Sequence, residues 1–286
     1  MTAETILVVG ATGTQGGAVA HHLLEHEHDF DVRALTRDEN QAAARALAEA
    51  GAEVVQGNIR EKNNVEGVLT DVDGVFLMTN FWEHGYDEEV EQGTNVIELA
   101  DDHGIDHLVF SSVGGAERDT GIPHFDSKWE LEELIREREL SATIVRPVFF
   151  AQNFEGFRDS IEGGTLAMGL EPGTALQLLD VDTLGAFVAE CFVDPDRHVG
   201  EAYELASDEL TLRAMAIRFA DVLDVPVRAE HLSIDDVREA QGEEFAVMFE
   251  WFNEAGYESP LDELRAAHDV DFYRLEEYVA GEWTAE

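Results

Sequence analysis

The sequence predicts an α/β fold built on a doubly wound parallel sheet, with a smaller C-terminal α+β lobe. Three observations carry this expectation. Short apolar runs alternate with helical stretches over the first 150 residues, a glycine-rich turn follows the first run directly, and the alternation breaks down after Arg146-Pro147. Runs that are continuously apolar are strands buried on both faces, and strands that each feed a helix lie parallel. Helices on both faces then make the sheet doubly wound.

Taken along the chain, the strands are expected over 5–9, 32–35, 53–56, 74–78, 107–111 and 142–145. Between them, apolar residues three and four apart predict helices over 15–27, 41–50, 65–69, 88–103 and 127–139. In the last of these, Leu131, Leu134 and Ile135 form the apolar stripe among Glu130, Glu132, Glu133 and Glu137. Beyond residue 147, Phe149, Phe150, Phe154 and Phe157 crowd one stretch, and Gly163-Gly164 and Pro172-Gly173 mark turns. Strands over 176–179, 202–205 and 227–232 and helices over 181–192, 212–223, 243–255 and 261–267 follow without strict alternation. Residues 1–150 are therefore expected to form the sheet domain. Residues 151–286 are expected to form a substrate or partner lobe that returns at least one strand to the main sheet.

The 286 residues carry 18 Lys+Arg against 62 Asp+Glu, a net charge of −44, yet 44% are hydrophobic. That apolar share is ordinary for a globular protein, so intrinsic disorder is excluded. Clustered cations are lacking, so a direct nucleic-acid partner is excluded as well. The acidic residues interleave with apolar periodicity, as a solvated face does; an acidic partner-binding surface is the alternative. The excess repels itself in dilute buffer, and salt near 1 M screens it to a Debye length of about 3 Å. The pattern resembles cytoplasmic proteins of halophiles that hold molar salt. Cys191 is the single cysteine, so no intrachain disulfide forms and nothing points to an oxidising compartment. The first five residues lack the basic start of a secretion signal, and no apolar run approaches the roughly 18 residues of a membrane span. A soluble, cytoplasmic chain without membrane contact is expected.

The most specific motif is Gly10-Ala11-Thr12-Gly13-Thr14-Gln15-Gly16-Gly17, directly after the first strand. Glycines 10, 13 and 16 permit a tight turn, close backbone approach to a pyrophosphate and close helix–strand packing, as in Rossmann-type folds. The helix that begins there points unpaired N–H groups and its positive end at the phosphates. About twenty residues further on, an NAD-binding chain places an acid for the ribose 2′-hydroxyl. Here the second strand runs into Thr36-Arg37. A guanidinium suits a 2′-phosphate, which favours NADP(H) over NAD(H). A surface ion pair of Arg37 with Asp38 or Glu39 is the competing assignment.

These stretches, together with Met78-Thr79-Asn80-Phe81-Trp82, His124-Phe125-Asp126-Ser127-Lys128, Val145-Arg146-Pro147, Asn153-Phe154 and Val181-Asp182-Thr183-Leu184-Gly185, resemble the NmrA-like family of atypical short-chain dehydrogenases/reductases. The run from Thr79 to Trp82 most resembles the subgroup containing a vertebrate NADPH-sensing protein. The resemblance implies an NADP(H)-binding protein whose relatives divide between redox-sensing regulators and reductases of quinones or related small molecules. It implies that Gly10, Thr12, Gly13, Thr14, Gln15 and Gly16 hold the pyrophosphate and Arg37 the 2′-phosphate. Asn58 would stand near the adenine, in place of the family's acid. Thr79, Asn80 and Phe81 would line the central ribose and ring, Lys128 would reach the nicotinamide ribose, and Phe149, Phe150 and Asn153 would line the pocket. Beyond the dinucleotide, a regulatory protein or a small-molecule substrate is the implied partner.

Classical members of the superfamily use a Tyr-x-x-x-Lys pair and a serine, the tyrosine donating the proton. Here Lys128 keeps the lysine role, the tyrosine position is His124, and the serine position aligns to Val113. The tyrosine-based mechanism is therefore absent, which favours the sensor. In the reductase reading, His124 is the candidate general acid; against it stands a packing histidine on a loop after Pro123. Only Lys62 and Lys128 are lysines among the 18 cations, which marks Lys128 as a specific need for an ammonium. His21, His22, His26 and His28 end the first helix, where cations favour the dipole, and no metal ligands are expected. Trp251, Phe249 and Phe252 are read as core.

The melting temperature is expected to rise steadily between about 0.1 and 2 M KCl as repulsion is screened. A flat or falling melting temperature in a salt titration followed by circular dichroism contradicts it.

Overall fold

Along the first strand, Thr5–Val9 (β1), successive side chains go to opposite faces: Ile6 and Val8 enter one hydrophobic cluster, Leu7 and Val9 another. The same division recurs at Phe76 against Val75 and Leu77, and at Val109 against Leu108 and Phe110. Both faces are covered, which is why these strands read as unbroken apolar runs. Each Leu, Val or Phe so buried contributes roughly 1.5–3 kcal/mol. The structure, a computed structural model, describes residues 3–28 and 30–284.

The strands that follow are Asp31–Thr36 (β2), Glu53–Gln56 (β3), Gly74–Met78 (β4), His107–Ser111 (β5), Ala142–Pro147 (β6), Phe149–Phe150 (β7), Thr165–Met168 (β8), Ala175–Leu179 (β9), Ala202–Leu205 (β10), Asp208–Thr211 (β11) and Arg228–His231 (β12). Seven form one parallel sheet in the order β10-β6-β5-β4-β1-β2-β3. Helices Thr14–Glu25, Ala42–Ala50 and Val181–Val193 pack on one face. Helices Lys62–Glu66, Tyr86–His103 and Pro123–Glu137 pack on the other. The strand order reverses between β1 and β4, and in such sheets the crevice beyond the strand C-termini at that reversal is where ligands bind.

The smaller lobe holds two short sheets, β11-β9-β7 and β12-β8. Its core is aromatic: Phe154 meets Phe219 edge-on at 5.2 Å between centroids, and Phe249, Phe252 and Trp283 join the same cluster. Residues 181–206 belong to the main sheet's core, and Ile122 and Phe125 reach forward into the lobe's core. Chain order and spatial order therefore interleave.

Several element boundaries differ from expectation. The helix expected over 65–69 starts at Lys62 and ends in a 3₁₀ turn over Gly67–Leu69. The helix expected from 127 begins at Pro123, because proline's fixed φ and missing N–H suit the first helical position. His124 therefore sits in that helix and not on a loop. Helices Phe81–His84, Arg158–Glu162, Ile234–Gln241 and Leu275–Glu282 were not expected from periodicity; they are too short to show it.

Candidate functional site

β1 delivers the chain into Gly10, whose φ of +70° is left-handed and closed to most side chains. The turn is closed by the Gly13 amide donating to the Gly10 carbonyl at 2.8 Å. At Gly16 a Cβ would fall 2.4 Å from the Gly10 carbonyl oxygen, a distance no side chain tolerates. Glycine there lets the first turn of helix Thr14–Glu25 press against the end of β1. Gly13 caps that helix with no side-chain hydrogen bond among the described residues. The first-turn amides of Thr14, Gln15 and Gly16 thus lack intrahelical partners and face the crevice with the positive end of the helix. The cradle fits an anion such as a pyrophosphate.

Beside it, Thr12 and Thr36 hydroxyls lie 3.2 Å apart, and the Gln41 amide donates to both at 2.9 Å. This ties the turn to the end of β2. Gln15 accepts from the Ser111 hydroxyl at 2.7 Å. Arg37 follows β2 at the surface, 63% exposed, and its partner is neither Asp38 nor Glu39 but Glu83. The hydrogen bond from Arg37 holds the Glu83 carboxyl below its ordinary range. Asn58 is half-buried, its carboxamide oxygen accepting from the Arg60 amide at 3.1 Å.

After β4, Thr79 is buried and Asn80 caps helix Phe81–His84, accepting from the Trp82 amide at 3.2 Å. Lys128 donates to the Thr79 hydroxyl at 2.5 Å and the Thr79 carbonyl at 3.0 Å. Its ammonium also lies 2.9 Å from Glu89, whose side chain is wholly buried. Glu89 accepts further from Thr79 at 2.9 Å and from Ser127. Burial alone would raise the Glu89 carboxyl, but the Lys128 charge and these hydrogen bonds outweigh it and hold it below the usual range. Glu89 was missed by sequence reasoning; its only signal is its spacing from Thr79, hidden among 62 acids.

His124 does not join this cluster. Its Nδ1 lies 2.5 Å from Glu244 of the lobe, and its ring packs against Phe81, Trp82 and Phe125 at 4.8–5.7 Å between centroids. Trp82, 56% exposed, stacks on Phe245 at 5.2 Å. Phe149 is buried in the lobe core, Phe150 packs with Met78 against the sheet's cluster, and Asn153 is exposed. Ser112 donates to the buried Glu132 at 2.5 Å, and Glu132 also pairs with both arms of Arg146 at 2.7 and 2.9 Å. Ser111, the last residue of β5, is thus held by Gln15 of the cradle and Ser112 by Glu132. Of the histidines ending the first helix, His22 pairs with Asp182 at 2.8 Å and His28 with Glu4 at 3.6 Å, so they do not converge.

A glycine-cradled helix N-terminus at the strand-order reversal of a parallel sheet defines a Rossmann-type fold. The chain belongs to the NmrA-like family, whose model matches residues 2–283. It is 28% identical over 270 residues to an NmrA-like family domain-containing protein of Dictyostelium discoideum, covering 88% of each chain. Among solved structures it resembles the Citrobacter sp. triphenylmethane reductase complexed with NADP(H), with a TM-score of 0.79 at 21% identity, covering 97% of this chain and 98% of that one. It resembles equally the negative transcriptional regulator Nmra in complex with NAD, with a TM-score of 0.80 at 18% identity, covering 99% and 96%. Among the described residues no helix is long and apolar enough to cross a membrane.

Removing Glu89 strands a buried ammonium. Glu89→Ala is expected to cost about 3–5 kcal/mol at pH 7, with much of the loss recovered in the Glu89→Leu/Lys128→Met double variant. The depressed Glu89 value means its contribution is full above the ordinary carboxylate range and is lost as pH falls through the lowered value. Urea unfolding across pH checks both; additive costs, or a difference that grows on acidification, contradict the pair.

Proposed function

We propose that this chain is a cytoplasmic NADP(H)-binding sensor or regulator, adapted to a salty interior, with NAD(H) the alternative ligand. The glycine cradle carries the dinucleotide reading, because glycine at 16 lets the first helix press on the end of β1 and aim its free amides into the crevice. Thr12, Thr14, Gln15 and the glycines would hold the pyrophosphate, Arg37 the 2′-phosphate, Asn58 the adenine side, and Thr79, Asn80 and Phe81 the central part. Lys128, fixed by Glu89 and Thr79, would meet the nicotinamide ribose, with Phe149, Phe150 and Asn153 lining the pocket. Residues 1–150 would form the dinucleotide domain, and residues 151–286, which return β10 to the main sheet, would supply the lobe that presents a surface to a partner protein.

The Arg37–Glu83 pair supports signalling. A 2′-phosphate competes with Glu83 for the guanidinium, and Glu83 rides on helix Phe81–His84, whose Trp82 stacks on the lobe through Phe245. Occupancy at one end of this chain of contacts is thereby felt at the other. Against chemistry of the classical kind stands His124, whose Nδ1 is taken by Glu244.

A second reading, an NADPH-dependent reductase of a quinone-like or conjugated molecule, is favoured by the exposed face of Trp82 beside Phe81. A bound reduced nicotinamide would supply the hydride, and Lys128 and His124 would polarise the acceptor.

Arg37→Ala is expected to weaken NADPH by roughly 10- to 100-fold, as loss of a charge-assisted pair does, and to leave NADH within about twofold. Equal loss for both rejects the 2′-phosphate assignment. Glu83→Gln is expected to tighten NADPH a few-fold; unchanged affinity removes the competition. Steady-state NADPH oxidation over a quinone panel separates the readings: tight binding without turnover supports the sensor, whereas turnover that a folded Lys128→Ala variant abolishes supports the reductase.

A further inference from the structure

We propose that Glu190, His198 and His268 form a binding site for a divalent transition-metal ion, Zn2+ foremost, at the opposite end of the strands from the glycine cradle. The three come from separate pieces of chain: helix Val181–Val193, the short helix Pro195–His198, and the segment after helix Leu261–Ala267. One ligand atom from each lies within 4.8 Å of the others. His268 Nδ1 is 2.9 Å and His198 Nε2 3.6 Å from the same Glu190 oxygen, Oε1. Zinc bonds of about 2.0–2.2 Å in a tetrahedral shell put neighbouring ligands roughly 3.3 Å apart. Two of the three donor separations bracket that value, and the third lies within 4.8 Å.

Proximity is not the only indication. His198 is wholly buried, and among the described residues its Nε2 has no hydrogen-bond partner; neither has Glu190 Oε2. A buried polar atom left unpaired costs about 1–3 kcal/mol, so two in one small space call for a partner. The far side of the His198 ring is, by contrast, fully engaged. Its Nδ1 lies 3.1 Å from the Tyr203 hydroxyl. The His198 carbonyl accepts from Thr143 at 2.8 Å, and Thr143 in turn takes a hydrogen bond from His107 at 2.7 Å. In the tautomer that donates Nδ1–H to Tyr203, Nε2 presents its lone pair toward Glu190. A metal-ligating histidine is held in this way, its tautomer fixed by the partner of its other nitrogen.

The competing account makes Glu190 the centre of an ordinary ion-pair cluster. His268 and Arg197 both approach Oε1, at 2.9 Å each. This satisfies Oε1 but leaves Oε2 and His198 Nε2 without partners. In the metal account the ion takes Glu190 Oε1, His198 Nε2 and His268 Nδ1, displacing one proton from His268, and leaves Arg197 to Oε2. Three protein ligands leave a fourth position for water.

The test uses the untagged, chelator-stripped full chain, titrated with ZnCl2 by calorimetry and with CoCl2 by visible absorption. One Zn2+ per chain is expected, together with intense tetrahedral Co2+ bands that one equivalent of Zn2+ bleaches. Glu190→Gln and His268→Asn are each expected to weaken Zn2+ by at least about tenfold and to lose the bands. The His22→Asn/His26→Asn pair on the first helix is expected to change neither. Circular dichroism confirms that the variants fold, and the wild-type cobalt spectrum does not depend on them. The proposal is overturned by the absence of binding, by many weak equivalents without a bleachable band, by binding that survives both cluster variants, or by binding lost with the surface pair.

Discussion

Everything at the strand C-termini depends on one approach distance, that of Gly16 to the Gly10 carbonyl. The backbone of the first helix touches the backbone leaving β1, and the 2.4 Å left for a Cβ makes glycine obligatory. That contact sets where the uncapped helix amides point. It also brings Thr12 to Thr36 and Gln15 to Ser111, so the turn is braced by β2 and β5. A longer side chain at residue 16 would push the helix away and misdirect all three amides together.

A second constraint lies across the crevice, where the Lys128–Glu89 pair is shut away from water. Such a pair gains little over a hydrophobic one in stability, but it is costly to break singly. Its value here is positional: it fixes Lys128 at the end of β4, beside Thr79, in one orientation. In a chain that otherwise uses arginine sixteen times and lysine once more, the compact ammonium is the group that satisfies Thr79 and Glu89 together.

The sheet was legible because strands buried on both faces leave no polar alternation, and the cradle because its glycines sit between a strand and a helix. The helix start at Pro123 is missed although proline belongs at that position, and so is helix Ile234–Gln241, which Ser233 and Asp236 announce as a capping box. What could not be read were long-range charge partners. Arg37 finds Glu83 across 46 residues, and with acids everywhere no local pattern singles out Glu83, Glu89 or Glu190. His198 and His268 are 70 residues apart and gain meaning only when β10 returns to the sheet edge beside β6.

Whether the glycine cradle holds a dinucleotide decides the rest. Calorimetry in concentrated KCl, with NADPH and NADH titrated into the wild-type chain and into a folded Gly16→Val variant, tests it. The predicted result is one saturable site in the wild type that is lost in the variant. No heat from either nucleotide with the wild type, or equal binding by the variant, contradicts it.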